Sequence, residues 1–304
     1  MILELREIEK SFGEKKVLQG VSFYAESGKA FGLLGRNGAG KTTSIRILMD
    51  VFKADKGEVL IDGKPINHSA LKIGYLPEER GLYPKKKIID QLVYFAELNG
   101  MSSKQAVSSV DNWLSRLGMT EYRNKRLDTL SKGNQQKIQL ITAIAHDPQI
   151  VILDEPFSGL DPVNARMLKS VVKNIISRDR IVLFSSHQMN YIEEFCDRIA
   201  IIDEGKVVLH GDLRDIKRAY VRDKLSVRAE RTDIIRAAMP EMCSDGERGE
   251  LIVRLPSPGD KKEVMEKLLS LCDIDEIKVY EPSLNDIFVE YTDKTSKEDS
   301  NEAI

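Results

Sequence analysis

The chain has 304 residues, which is enough for two domains of ordinary size, and its 41% hydrophobic content suffices for folded cores. Lys and Arg number 46 against 48 Asp and Glu, and the resulting net charge of −2 argues against nucleic acid as the main partner. Three scattered cysteines exclude a disulfide framework and a C-x-x-C zinc site. No apolar run approaches the ~20 residues that span a bilayer, and charges close to the N-terminus do not fit a signal peptide.

Short strands and a glycine-rich loop open the chain. Apolar patterns predict strands at about residues 2–8 and 17–24, and a buried strand at 30–34. Helical spacing of apolar side chains predicts a helix over 43–52. Between the last two lies Gly35–Thr42 (GRNGAGKT), which fits G-x-x-x-x-G-K-[ST] at every fixed position. Strand, loop and helix in this order are the setting that the motif requires.

The loop predicts a nucleoside triphosphate site. Its glycines allow the backbone to turn N–H groups toward phosphate oxygens, and the helix N-terminus adds its dipole. We expect Lys41 to reach the β- and γ-phosphates and the Thr42 hydroxyl to ligate Mg²⁺. The predicted contacts are Gly35, Arg36, Asn37, Gly38, Ala39, Gly40, Lys41, Thr42 and Thr43.

Helices and further buried strands follow. Apolar residues at helical spacing run from about 88 to 125, and another helix is predicted from about 132 to 146. Strand patterns at 150–153, 181–184 and 199–202 alternate with helical segments. Alternating strands and helices predict a mainly parallel sheet that is covered on both faces.

The pattern changes after about residue 220. Strand-like segments at 225–229, 250–255 and 274–280 alternate with helical segments at 232–239, 261–271 and 284–291. This order is typical of a small α+β domain of the ferredoxin-like kind. The charged tail from residue 293 predicts disorder.

Two carboxylates follow the strand at 150–153. Ligands bind at the carboxyl ends of parallel strands, so we expect Asp154 to hold Mg²⁺, directly or through water. Glu155 is then the candidate general base for the water that attacks the γ-phosphate. Acidic pairs at strand ends are also common as solvated termini, and it is the complete phosphate loop that favours the catalytic interpretation.

Leu130–Lys137 (LSKGNQQK) precedes the helix at about 132–146. Ser131 is a good N-cap, and Gly133 allows close backbone approach at a helix N-terminus that favours anions. An ordinary capped helix would have the same features, so these residues alone leave both interpretations open.

The motifs together resemble the nucleotide-binding subunit of ABC transporters. The phosphate loop, the helical insertion, LSKGN and ILDEP stand in that family's order over about residues 1–220. The resemblance implies an α/β P-loop NTPase with an antiparallel β subdomain and a helical subdomain at about 88–146. A small α+β domain at 221–292 and a disordered tail at 293–304 complete the expected organisation.

LSKGNQQK resembles the family's signature motif LSGGQ. Lys132 replaces a glycine and Asn134 replaces the glutamine, whereas Ser131 and Gly133, which the family uses to contact the γ-phosphate, are kept. The resemblance implies that Ser131, Gly133 and Asn134 bind the ATP held by another copy.

Three further positions are carried over by resemblance. Phe12 matches the aromatic residue that stacks on adenine, although a core aromatic at a strand end is the alternative. His187, just after a strand, matches the switch histidine that contacts the γ-phosphate and the attacking water. Ser158–Asp161 resembles the D-loop, and it is equally suited to a turn and helix N-cap before Pro162.

Glu78 departs from the common family pattern. It lies in Tyr75–Tyr83 (YLPEERGLY), where the family usually has a glutamine that senses Mg²⁺ and the transmembrane partner. Glutamate keeps an oxygen ligand and adds a negative charge. This segment and Glu281–Phe288 (EPSLNDIF) resemble prokaryotic exporters related to sodium and drug efflux ATPases.

The resemblance implies a function and partners. We expect an ATP- and Mg²⁺-dependent ATPase subunit of an exporter, acting on a separate transmembrane permease subunit at the inner, cytoplasmic face of the cell membrane. Two copies, or one copy and a paralogue, would close head to tail around ATP, and no nucleic acid is expected. A soluble ABC ATPase acting on ribosomes or DNA is the main alternative, and an ATP-gated binding module without turnover is a weaker one.

Overall fold

The computed structural model describes residues 1–79, 81–177, 179–220, 223–246 and 249–301. The chain divides into two units: one contains Met1–Leu213 and the residues from Phe288 onward, and the other contains Arg214–Ile287. The second unit thus begins and ends earlier than the expected range of 221–292. Residues 221 and 222, like Arg80 of the YLPEERGLY segment, lie outside the described residues.

The first unit is built on a six-stranded sheet in the order β10-β9-β3-β8-β7-β6. These strands are β3 (Ala30–Leu34), β6 (Ile73–Leu76), β7 (Ile150–Asp154), β8 (Ile181–Ser185), β9 (Arg198–Asp203) and β10 (Lys206–Asp212). All neighbours are parallel except β9 and β10, which form an antiparallel pair at one edge. Every residue of β3, β7 and β8 is buried, as expected of strands covered on both faces.

An antiparallel sheet in the order β2-β1-β4-β5 lies beside the parallel one. Its strands are β1 (Ile2–Phe12), β2 (Lys15–Glu26), β4 (Lys56–Ile61) and β5 (Lys64–Pro65). Inward side chains such as Leu3, Leu5 and Val21 share one hydrophobic core with Ile150 and Leu183 of the parallel sheet. The short strands expected near the N-terminus are therefore longer and form the predicted antiparallel subdomain.

Helices cover the parallel sheet and form the insertion. They are α1 (Lys41–Leu48), α2 (Ile88–Leu98), α3 (Ser103–Arg116), α4 (Lys132–Ile144), α5 (Pro162–Ile176) and α6 (Met189–Phe195). The capping box of Ser102 and Gln105 starts α3, and Asp161 caps α5 by accepting from two backbone N–H groups. Helices α2, α3 and α4 pack against one another through their buried apolar faces, which forms the expected helical subdomain.

The second unit has the order β11 (Lys224–Arg228), α8 (Thr232–Ala238), β12 (Cys243–Asp245), β13 (Leu251–Arg254), α9 (Lys261–Leu271) and β14 (Glu276–Val279), after the linking helix α7 (Leu213–Ala219). Its antiparallel sheet has the order β12-β13-β11-β14, around a core that includes Leu225, Val253 and Leu268. Element order and strand order are those of a ferredoxin-like fold, as the sequence pattern predicted.

The C-terminal helix α10 (Leu284–Asn301) is longer than expected. The tail predicted to be disordered from residue 293 is helical through Asn301, and residues 302–304 lie outside the described residues. Arg36 donates hydrogen bonds to the helix at the buried Thr292 and the exposed Asp293. Within the described part of the chain, no helix is both long and apolar enough to cross a membrane.

Candidate functional site

The phosphate loop joins β3 to α1. Gly40 is the N-cap of α1 and has φ 116°, a value that L-residues with side chains rarely adopt. A Cβ on Gly40 would lie 2.5 Å from Leu18 Cδ2, so a larger residue would strain the backbone and displace the Leu18 side chain. The loop therefore holds its turn with backbone N–H groups free of side-chain bulk, as a phosphate cradle needs.

Lys41 folds back over this loop. Its ammonium donates hydrogen bonds to the Gly35 carbonyl oxygen at 2.6 Å and the Arg36 carbonyl oxygen at 3.2 Å. Burial lowers the pKa of Lys41, while the negative charges of Asp154 and Glu155 act in the opposite direction. The ammonium is thus a partly desolvated cation, whose attraction to a phosphate is stronger than it would be in water.

A cleft of about 270 Å³ opens in front of the loop. This is smaller than the roughly 300–1,000 Å³ of pockets that enclose whole ligands, and it suits the phosphate end of a nucleotide. Ten of the residues expected at the site line it: Asn37, Gly38, Gly40, Lys41, Thr42, Thr43, Glu78, Asp154, Glu155 and His187. The structure therefore assembles the phosphate loop, both strand-end carboxylates, Glu78 and the histidine in one place.

Asp154 ends β7 next to β6, the strand that leads to Glu78. Burial raises the pKa of Asp154, and the neighbouring negative charges of Glu78 and Glu155 add to this effect. The Tyr75 hydroxyl donates a long hydrogen bond of 3.4 Å to Asp154 Oδ2. Burial, followed by the charge of Asp154, raises the pKa of Tyr75 to about 12, so this hydroxyl stays protonated.

Glu155 is held by the residues that follow β8. His187 Nδ1 and the His187 backbone N–H each lie 2.6 Å from Oε1, and the Ser186 hydroxyl donates to Oε2 at 2.9 Å. The Glu155 backbone has φ 49°, a left-handed conformation that costs a non-glycine residue on the order of 1–3 kcal/mol. Such strain is typical of side chains placed for function, and here it accompanies a buried carboxylate with both oxygens engaged.

The donor set in the cleft fits Mg²⁺. Thr42, Glu78 and Asp154 supply only hard oxygen donors, and Mg²⁺ is usually held by one or two carboxylates together with nucleotide phosphates. Among the described residues no cluster of three or more His, Cys, Asp or Glu forms a self-sufficient metal cage. A metal here would thus need the phosphates as additional ligands.

Four expected contacts lie outside the cleft lining. Gly35 and Ala39 shape the loop, and the Arg36 guanidinium turns away to donate to Thr292 Oγ1 at 3.2 Å and Asp293 Oδ1 at 2.7 Å. Phe12 is 45% exposed and meets Phe52 edge-on, with ring centroids 5.4 Å apart. Its ring is accessible for stacking, and it does not line the phosphate cleft.

The signature residues begin helix α4 and also lie outside the cleft lining. Ser131 is the exposed N-cap, and its hydroxyl accepts a hydrogen bond from the Asn134 backbone N–H at 3.3 Å. Gly133 is buried, and a Cβ there would lie 2.8 Å from Asn164 Nδ2 of α5. The cleft of a single chain therefore does not bring Ser131, Gly133 and Asn134 to the phosphate loop.

Sequence reasoning missed several residues at the site. Lys15 and Val17 line the cleft from β2, and Tyr75 and the buried Gln139 contact its carboxylate-bearing loops. Lys15 lies three residues after Phe12, across a tight turn between β1 and β2. This hairpin is the sequence feature that could have indicated that Lys15 lies near the site. Gln139 carries no local signal, because its partners are about sixty positions away in the chain.

Comparison with known proteins identifies the family. Residues 18–158 match the family described as ABC transporter, and residues 211–292 match the C-terminal domain of DrrA1-3-like ATP-binding proteins. The chain is 40% identical to the ABC transporter ATP-binding protein YhaQ of Bacillus subtilis (strain 168), over 95% of this chain and 98% of that protein. The chain belongs to the ABC transporter ATP-binding proteins.

Two further similarities bear on this ABC ATPase. It is 31% identical to the Nod factor export ATP-binding protein I of Burkholderia lata, over 76% of this chain and 83% of that protein. The solved structure of an ATP-binding subunit of an ABC transporter is similar to this chain with a TM-score of 0.66 and 27% identity, over 72% of this chain and 92% of that one. The predicted fold class, the ATPase family and the resemblance to export-type subunits are confirmed.

Proposed function

We propose that this ABC ATPase powers export through a separate transmembrane permease subunit, and that ATP closes it head to tail on a second copy or a paralogue. One observation carries the proposal. The cleft of a single chain contains the phosphate loop, the carboxylates and His187, while the signature residues of the same chain lie elsewhere. A second chain supplying Ser131, Gly133 and Asn134 would complete the site.

The residues of the cleft have separable roles in this proposal. The loop N–H groups and Lys41 bind the β- and γ-phosphates, and Phe12 stacks on adenine. Glu155 accepts the proton of the attacking water, and His187 orients Glu155 through its Nδ1 contact while its ring reaches the γ-phosphate. Mg²⁺ held by Thr42, Asp154 and Glu78 would neutralise negative charge on the phosphates.

The carboxylate of the base keeps room for a water. His187 donates twice to Oε1 and Ser186 donates once to Oε2, so Oε2 retains a lone pair that can accept a hydrogen bond from the attacking water. We assign to closure against a second chain the placement of that water in line with the γ-phosphate. A lone chain would then bind ATP and hydrolyse it poorly.

Exposed apolar side chains support a membrane-subunit partner. Tyr94 and Leu98, one turn apart on α2, are 51% and 64% exposed, and Tyr83 is exposed at the end of the Glu78 segment. Tyr94 and Leu98 thus share one exposed face of α2 in the helical subdomain, and Tyr83 follows Glu78 five positions later in the chain. The proposed location at the inner, cytoplasmic face of the membrane follows from such a partner.

Mixing two inactive variants tests the head-to-tail dimer. Lys41→Ala removes the phosphate contact, and Ser131→Arg blocks the signature contact. In a mixed dimer one site carries both defects and the other is intact, so the mixture should recover up to about a quarter of the wild-type rate. Each variant at the same total concentration is the control. Mixed dimers that form and remain inactive would contradict the proposal.

Isolation from membranes tests the partner. The wild-type chain should copurify in mild detergent with one polytopic membrane chain, and Tyr94→Ser with Leu98→Ser should lose it. Val51→Ser, which changes an exposed apolar residue after α1, is the matched control. Copurification with ribosomes or DNA in place of a membrane chain would favour the alternative function.

A further inference from the structure

Gln139 of α4 is bonded to both sides of Glu78. Its side-chain Nε2 donates hydrogen bonds to the Pro77 carbonyl oxygen at 3.1 Å and to the Glu79 carbonyl oxygen at 3.0 Å. Gln139 is 4% exposed, so these bonds form away from competing water. The two acceptors flank Glu78, which lines the phosphate cleft.

The loop needs such a restraint because of its charge. Glu78 shares the cleft with the carboxylates of Asp154 and Glu155. Like charges in one cleft repel, and this repulsion favours movement of the Glu78 loop toward solvent. Two amide hydrogen bonds to the backbone on either side of Glu78 oppose that movement.

Helix α4 and strand β6 provide a rigid base for the restraint. A Cβ on Gly74 of β6 would lie 1.9 Å from the Ala143 carbonyl oxygen of α4, so the two elements pack backbone to backbone. Gln136, one turn before Gln139, donates to the Pro156 carbonyl oxygen at 3.2 Å, next to Glu155. The helix that begins with the signature residues therefore holds both loops that carry the carboxylates of the cleft.

We infer that Gln139 is a positioning residue that fixes the Glu78 carboxylate for metal–nucleotide binding and joins it rigidly to the signature helix. The inference rests on the proposed role of Glu78. Removing a residue that positions a metal ligand typically lowers the affinity for the metal by 10–100-fold. Gln139 does not touch the metal or the nucleotide in this scheme, and it acts through the position of Glu78 alone.

Metal binding without turnover tests the inference. Gln139→Met keeps the length of the side chain and removes the donor. With ADP present, titration calorimetry should show the Mg²⁺ dissociation constant rising about tenfold or more. ADP binding in EDTA should stay within about twofold of the wild type, because the phosphate loop is untouched. An unchanged Mg²⁺ dissociation constant would overturn the inference.

A matched glutamine serves as the control. Gln91 of α2 is 3% exposed, and its side chain accepts a hydrogen bond from the Tyr83 backbone N–H at 3.1 Å, at the end of the Glu78 segment and five positions after Glu78. Gln91→Met should therefore leave the Mg²⁺ dissociation constant unchanged. An equal rise in both variants would mean that general loosening is the cause, and would overturn the inference. If Gln139→Met does not fold, Gln139→Asn, which is too short to reach both carbonyls, carries the same expectation.

Measurements in a Glu78→Ala background distinguish the proposed metal role of Glu78 from the inferred positioning role of Gln139. Glu78→Ala alone should weaken Mg²⁺ binding, and adding Gln139→Met should then change it no further. If Glu78→Ala leaves Mg²⁺ binding unchanged, Glu78 does not hold the metal, and both its proposed role and the inference are overturned. If Glu78→Ala weakens Mg²⁺ binding but Gln139→Met does not, only the inference is overturned. A further loss in the double variant would show that Gln139 acts by another route.

Discussion

Glu155 and His187 are bonded to each other at the edge of the phosphate cleft, with Oε1 and Nδ1 2.6 Å apart. Because an ionised carboxylate only accepts hydrogen bonds, Nδ1 carries the hydrogen in this contact. Glu155 is 5% exposed, whereas the His187 side chain is 63% exposed. The pair thus links a buried carboxylate to a ring that is accessible to a nucleotide.

Glu155→Gln should retain ATP binding and lose about 10²–10⁴-fold in turnover, the usual contribution of a general base. The amide keeps the size of the side chain but does not accept the proton of the water. The measurements are ATP affinity and steady-state phosphate release, with the exposed Glu121→Gln as control. Wild-type turnover in Glu155→Gln would refute the assignment of the base.

Asp154→Asn should raise thermal stability in the absence of nucleotide and divalent metal. Burial and the charges of Glu78 and Glu155 raise the pKa of Asp154 in the folded chain, so its ionised form costs stability. This loss of stability is complete at pH values above the pKa of Asp154 in the folded chain. It disappears as the pH falls to the pKa of Asp154 in the unfolded chain. We expect a gain on the order of 1 kcal/mol at neutral pH, or about 2–4 °C in Tm.

Calorimetric melting in EDTA at several pH values measures this difference. The advantage of Asp154→Asn should shrink as the solution is acidified, because Asp154 of the wild type then becomes protonated. A constant difference at every pH would show that charge is not the cause. Activity should be lost in the same variant.

Tyr75→Phe should raise the Mg²⁺ concentration required for hydrolysis about two- to fivefold, with kcat nearly unchanged. The bond to Asp154 Oδ2 is 3.4 Å long, so its contribution is at the low end of the 0.5–1.5 kcal/mol typical of hydrogen bonds. Since the pKa of Tyr75 is about 12, the effect should be constant between about pH 6 and 10.

Tyr280→Phe is the matched control for this change. Tyr280 donates to Asp286 Oδ2 at 2.6 Å in the second unit, so the control removes the same type of bond far from the site in sequence. It should leave the Mg²⁺ requirement unaltered. A variant Tyr75→Phe that lowers kcat without changing the Mg²⁺ requirement would contradict the role we assign.

Asp293→Asn should cost at most about 1 kcal/mol of unfolding free energy. The Arg36 and Asp293 side chains are 51% and 58% exposed, so water and salt screen their attraction. Urea unfolding at low salt should show the difference, and in about 1 M salt it should vanish. A large effect that persists in high salt would mean that Asp293 has a structural role other than the ion pair.

The motif residues of the cleft could be predicted because local sequence determines their structure. Gly40 and Lys41 form the same turn wherever a buried strand and a helix flank them, and Asp154 and Glu155 follow a run of residues that only a buried strand accommodates. The parallel-sheet rule then places them at one edge. For the tail at 293–304, composition alone predicts disorder, and the structure continues α10 through Asn301.

The sequence by itself determined the phosphate loop, the strand-end carboxylates, the signature helix and the family, since each depends on the chemistry of a few adjacent residues. Only the tertiary structure decided that Gln139 bonds the carbonyl oxygens on both sides of Glu78 and that Tyr75 donates to Asp154. It also decided that Arg36 contacts Asp293 instead of the cleft. These contacts join residues 60 or more positions apart, and packing of whole elements brings them together. No local pattern encodes such a distance, so the phosphate-binding loop was evident from the sequence, whereas the residues that hold its carboxylates in place were not.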